Sequence, residues 1–158
     1  MYYALSLYYE SKQLLNVANG LNPVPQVNLQ ELTENFSLFD DWEERYKYLI
    51  DLGKTLEPMP ESLKTEETLV KGCTSRVWMI CETNNDGQYH FIADSDAHIV
   101  KGLIAVLLSA YQGKTASAIQ SVDIEGTFRE IGLDQHLSPN RRNGFFAMVE
   151  RIRALSSN

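Results

Sequence analysis

Apolar residues recur at steps of three and four along most of this chain, and they favour strand in one stretch near the middle. The strongest helical period lies in "DSDAHIVKGLIAVLLSAYQG", where Ile99, Leu103, Val106, Leu107 and Ala110 fall on one face. This stretch is predicted as the central helix, with Ser95 or Asp94 as its cap. Gly102 inside it costs about 1 kcal/mol relative to alanine, which implies that another backbone packs closely there. A second firm helix is read in "LSPNRRNGFFAMVERIRAL", with Ser138 at the cap, Pro139 in the first helical position, and Phe145, Met148, Val149 and Ile152 on one side.

Upstream, "DDWEERYKYLIDLGK" places Trp42, Tyr46, Leu49 and Ile50 on a common stripe. Asp41 caps its start, Glu44 answers it, and Gly53 closes it. "NLQELTENF" carries Asn28 with Glu31 three residues on, the capping-box spacing of a short helix. Pro58 and Pro60 exclude a helix in "LEPMPESLK" and imply an ordered connection. Strand character runs from Arg76 to Thr83 and from Gln88 to Ala93, with "NNDG" as the turn between them, so a hairpin is predicted. Val77, Met79 and Cys81 share one of its faces, Trp78 and Ile80 the other, so both faces are at least partly covered. "KTASAIQSV" and "IEGTFREIGL" read as short helical pieces broken by glycine. A weak stripe of Leu7, Leu14, Leu15 and Ala18 suggests an appended N-terminal helix before "NGLNPVPQ" breaks it. The order of elements predicts an α+β domain with a small antiparallel sheet packed against helices.

Length and composition narrow the class. One domain suits 158 residues, and 44% hydrophobic with 22% charged residues is an ordinary globular balance. The net charge of -7 repels a phosphate backbone and argues against general nucleic-acid binding. No stretch approaches the roughly 18 apolar residues of a membrane span, and the first residues lack the basic lead of a signal peptide, so a soluble, cytoplasmic protein is expected. Cys73 and Cys81 have neither disulfide-scaffold nor zinc-knuckle spacing.

The chemistry centres on "LVKGCTSRVW". Gly72 before Cys73, with Lys71 and Arg76 close by, describes a flexible electropositive turn in which a thiol can ionise. The alternatives are a small buried hydrophobe at Cys73 and solvated surface cations at Lys71 and Arg76. Cys81, in mid-strand among apolar neighbours, is expected to be buried. His90, His98 and His136 lie on different elements without ligand spacing, so no metal site is expected. A Cys73 pair with His98 or His136 is conceivable, without a local protease signature to support it. Asp94 and Asp96 beside a helix start read as capping and dipole compensation. Arg141 and Arg142 lie at a helix N-terminus, where the macrodipole disfavours cations by about 0.3–1 kcal/mol. They are read either as ion-paired with a nearby aspartate, or as recognising a partner carboxylate or supporting the thiol loop.

Taken together, "VKGCTSRVW", "DSDAHIVKGLIAVLL" and "LDQHLSPNRRNGF" resemble, in order and separation, the SufE-type sulfur acceptors, the group that includes CsdE. The resemblance runs from about Phe36 to Leu155. It implies an α+β fold shared with IscU-type scaffolds, and acceptance of sulfane sulfur as a persulfide from a pyridoxal-phosphate cysteine desulfurase of SufS or CsdA type. Sulfur then passes to a downstream recipient or scaffold for iron–sulfur cluster assembly. The resemblance implies no resident cofactor. By motif, Cys73 matches the acceptor cysteine, Asp96 an acidic residue near the thiol loop, and Arg141 the arginine opening the last helix. Residues 1–27 fall outside the family pattern and are read as an extension, with residues 28–158 as the sulfur-acceptor domain. A competing reading is an iron–sulfur scaffold, which needs about three or four ligands where the chain offers one loop cysteine and one strand cysteine. A third is a thiol hydrolase, which needs a histidine within reach of Cys73.

Overall fold

The side chains that end a helix are the most legible part of this chain, and three of them behave as their positions demand. The computed structural model describes residues 28–157; the expected N-terminal helix and the extension read over residues 1–27 lie outside them. The Asn28 side chain accepts from the Glu31 N–H at 2.9 Å and opens α1, Leu29–Ser37. Asp41 accepts from the Glu44 N–H at 2.8 Å and opens α2, Trp42–Lys54. Ser138 accepts from the Arg141 N–H at 3.3 Å at the head of the last helix, Pro139–Leu155. Each such bond satisfies a helix donor that would otherwise lack an intrahelical partner.

Between these lie β1 (Val77–Thr83), β2 (Gln88–Ser95), α3 (His98–Tyr111), β3 (Lys114–Thr115), α4 (Ala116–Gln120), α5 (Ile124–Glu130) and α6 (Leu133–His136), so the last helix is α7. The sheet is antiparallel in the order β1-β2-β3, with Ile80 opposite Ile92. At the hairpin tip the Asn84 side chain accepts from the Asp86 and Gln88 N–H groups, each at 3.0 Å, and Gly87 takes a φ of +73°.

Helix α3 is the hub. Leu103, Ile104, Val106 and Leu107 are fully buried, each burial worth about 1.5–3 kcal/mol. Its contact with α2 is unusually close: a Cβ on Gly102 would overlap the Leu49 carbonyl, and one on Gly53 would lie 2.7 Å from the Gly102 nitrogen. The expectation of close backbone packing at Gly102 is met. The expectation that Gly53 ends α2 is not: the helix continues to Lys54, and Gly53 is there to let two helices touch.

Other expectations are corrected in the same way. Tyr46 points to solvent, and Leu49, Leu52 and Gly53 form the buried face of α2. Neither Ser95 nor Asp94 caps α3, whose N-cap is Ala97 without a side-chain bond. Ser95 instead accepts from the Ala97 N–H at 3.2 Å and donates to the Arg76 carbonyl at 2.7 Å. "KTASAIQSV" begins with strand β3, whose two residues pair with Gln88 and Tyr89. Strand β1 starts one residue later than expected, and β2 runs on to Ser95.

Both sheet faces are covered, by different means. Val77 and Met79 join the main core under the helices, while Ile80 and Ile92 form a small second cluster with Met59 of the proline-rich connection. Lys64 fastens that connection: its ammonium lies 3.0 Å from the Asp94 carboxylate, 2.9 Å from that of Glu61, and above the Trp78 ring. Burial opposes the charge on Asp94, yet Lys64, the Ser95 N–H and Lys101 together hold its carboxyl below the ordinary range. Among the described residues no helix is long and apolar enough to cross a membrane.

Candidate functional site

Strand β1 does not begin freely. The Val70 N–H donates to the Val77 carbonyl at 2.7 Å, and the Met79 N–H to the Thr68 carbonyl at 2.9 Å, so residues 71–76 form a loop closed at its base. Inside it Gly72 adopts a φ of +93°, the left-handed region that side chains disfavour. This turn aims Cys73 back toward α7. The half-buried thiol donates to the Gly144 carbonyl at 3.5 Å, and Gly144 itself presents no side chain to the sulfur.

The sulfur lines a cavity of about 230 Å³. Thr74 and Ser75 come from the loop, Val100 and Leu103 from α3, and Ser138, Asn140, Arg141, Phe145 and Met148 from the start of α7 and its cap. One wall is thus polar and one apolar. Burial pushes the Cys73 thiol above its ordinary pKa, and no neighbouring charge pulls it down. Lys71 and Arg76 are exposed, and burial rather than their charge is what moves the Cys73 thiol in this seat.

The structure sorts the remaining candidates. Asp96 sits at the foot of the loop: its carboxylate accepts from the Arg76 N–H at 3.1 Å, and its own N–H donates to the Arg76 carbonyl at 3.3 Å. It fixes where the loop re-enters the fold and does not line the cavity. Of the two arginines, Arg142 donates to the Asp134 backbone carbonyl at 2.6 Å and lies over the Phe128 ring, a structural role that uses no aspartate carboxylate. Arg141 lines the thiol cavity, and its Nη1 is buried without a hydrogen-bond partner among the described residues. Cys81 is partly exposed where the sequence predicts burial. Burial nevertheless raises its pKa, against the nearby Arg151. No histidine lines the cavity, and His136 stacks on Trp42 with ring centroids 4.4 Å apart. Sequence reasoning misses Gly144, Phe145, Met148, Val100 and Leu103 as site residues; the helical periods around them mark core, and only folding brings them to a cysteine distant in sequence.

Gly72→Ala tests the seat. Alanine in the left-handed region costs about 1–2 kcal/mol, and its Cβ would come 3.3 Å from that of Ala147. The expected result is roughly tenfold faster alkylation of Cys73, with the global unfolding midpoint shifted little, because the loop leaves its seat while the core stays intact. Unchanged alkylation would show that the loop does not need this backbone conformation.

Comparison with known proteins bears on the family and the fold. The chain is 42% identical over 130 residues to an uncharacterized SufE-like protein of Rhizobium meliloti, covering 80% of this chain and 93% of that protein. It is 45% identical over 129 residues to an uncharacterized SufE-like protein of Rhizobium etli, covering 80% and 87%. The solution structure of a hypothetical protein from Thermus thermophilus superposes with a TM-score of 0.66 at 22% identity, over 82% of this chain and 93% of that one, which supports the α+β fold. Residues 30–156 match the family described as "SufE: Fe-S metabolism associated domain". With its thiol loop, pocket and last helix all inside the matched span, the chain belongs to the SufE family.

Proposed function

We propose that this protein accepts sulfane sulfur on Cys73 from a pyridoxal-phosphate cysteine desulfurase of SufS or CsdA type, stimulates that enzyme by clearing its persulfide, and passes the sulfur on for iron–sulfur cluster assembly or related sulfur trafficking. Family membership supports the class of reaction. The observation that carries the assignment to one atom is a loop cysteine seated beside a cavity larger than its own side chain, behind a glycine in a left-handed turn. The acidic chain is read as cytoplasmic, acting on protein partners and on neither nucleic acid nor membrane.

The step balances as a thiol–disulfide exchange. Cys73 loses its proton as the loop moves outward, and the thiolate attacks the outer sulfur of the donor's persulfide. A new S–S bond forms to Cys73, the donor's S–S bond breaks, and the donor cysteine leaves with the electron pair and takes up a proton. No external oxidant or reductant is needed. Return of the loop places the terminal sulfur in the cavity, away from solvent thiols that would reduce it. An iron–sulfur scaffold of IscU type is less well supported, since among the described residues no three His, Cys, Asp or Glu side chains gather as a ligand set.

The test mixes the protein with a candidate desulfurase and cysteine and reads intact mass. One added sulfur is expected on the wild type and none on Cys73→Ser. Equal sulfur uptake by the serine variant, or no uptake from desulfurases of either type, would overturn the assignment.

A further inference from the structure

Every described glycine but one has a reason visible in its own backbone or beside it. Gly72, Gly87, Gly113 and Gly132 take positive φ, and a Cβ on Gly53, Gly102 or Gly126 would come within 3.0 Å of a neighbouring atom. Gly144 has neither reason. It lies inside α7, where glycine is less favourable than alanine. The three atoms nearest to a Cβ built on it are the Cys73 Sγ at 3.7 Å and the Cys73 Cα and Cβ at 3.9 Å, all ordinary contacts. Alanine would therefore fit beside the resting thiol and strengthen the helix, so the resting state does not account for the glycine.

What a methyl group at residue 144 would take away is room next to the sulfur. Gly144 is buried and lines the same cavity as Cys73, whose thiol donates to the Gly144 carbonyl at 3.5 Å. A persulfide replaces that proton with a sulfur atom about 2.05 Å from Sγ, too large to stay between Sγ and the carbonyl oxygen. It has to swing aside into free volume, and the volume beside that carbonyl is the one a side chain on residue 144 would fill. Resting on the sulfur-acceptor reading above, we propose that Gly144 determines whether Cys73 can be covered once it is loaded: the missing side chain is the berth of the terminal sulfur. With alanine at residue 144 the cavity still holds a thiol and excludes a persulfide.

The experiment loads Cys73 without any desulfurase. Inorganic polysulfide is the probe: the Cys73 thiolate attacks it, forms one S–S bond and expels a polysulfide shorter by one sulfur. Intact mass verifies one added sulfur, and the mass of the alkylated peptide places it on Cys73. Dithiothreitol then reduces the persulfide, releasing the terminal sulfur as hydrogen sulfide, closing to its own cyclic disulfide and returning Cys73 to a thiol. The rate of that loss is read for wild type and for Gly144→Ala, each folded and in urea. Folded wild type is expected to lose its sulfur more slowly than the unfolded chain. Folded Gly144→Ala is expected to lose it roughly tenfold faster than folded wild type, which corresponds to about 1.4 kcal/mol of lost cover. The unloaded Cys73 of the variant is expected to be alkylated no faster than in wild type, and the unfolding midpoint to be no lower. A variant that keeps its sulfur as long as wild type overturns the proposal. So does a folded wild type that takes up no sulfur, or that loses it as fast as the unfolded chain. Faster alkylation of the unloaded variant, or a lower midpoint, would show that alanine does not fit the resting site, and overturns it as well. A desulfurase that fails to donate would leave these results standing, so the two readings fail separately.

Discussion

Gly102→Val is expected to cost about 3 kcal/mol or more of stability. The reason is geometric. A Cβ at residue 102 meets the Leu49 carbonyl and carbonyl carbon, which are helix backbone and cannot rotate aside as a side chain can. Helices α2 and α3 would have to separate, and separation exposes Leu49, Leu52 and the face of α3 that covers them. Overpacking typically costs about 1–3 kcal/mol when the surroundings relax; here relaxation means breaking the main helix–helix contact. Gly87→Ala supplies the contrast. Nothing lies within 4 Å of a Cβ built there, so only its left-handed φ opposes the change, worth about 1–2 kcal/mol. Urea denaturation of both variants checks the claim: a Gly102→Val midpoint at or above that of Gly87→Ala would show that the close helix approach is dispensable.

Phe145→Ala is expected to lower stability by about 3–5 kcal/mol and to disturb the thiol at the same time. The ring is fully buried, lies 4.8 Å from the Phe128 ring and 5.4 Å from that of Phe146 by centroid, and lines the cavity beside Cys73. Its removal deletes aromatic contacts and opens the apolar wall against which the sulfur rests. Alkylation of Cys73 should therefore accelerate in the folded protein, below the onset of unfolding. Phe145→Leu, which keeps most of the volume, should recover most of both effects. A stable alanine variant with wild-type alkylation would mean that Phe145 neither supports the core nor shelters the thiol.

Much of this architecture is legible in the chain because it is written in local chemistry. Asn28, Asp41 and Ser138 each act within three residues of themselves, and the hairpin follows from an Asp-Gly turn between two strand-forming runs. What escapes depends on distant partners. Two residues of β3 carry no period of their own and become a strand only against Gln88 and Tyr89. Gly53 is indistinguishable from a helix stop until Gly102 is brought beside it. The site divides the same way. Gly72 and Cys73 announce a reactive turn, but the cavity wall comes from α3 and α7, and nothing near Cys73 in sequence says that its thiol meets Gly144. The neighbouring cations suggest an ionised sulfur; in the fold they face water, and burial decides instead.

The bond between Val70 and Val77 sets a leash. Cys73 stands three residues beyond its anchored end, so even a fully extended chain carries its Cα only about 10 Å from that point. The atom can tip out of the surface but cannot cross a gap between two proteins. If Cys73 receives sulfur as proposed, the donor must bring its own sulfur down to this surface on a projecting segment, and the reach of that segment sets which donors can be served.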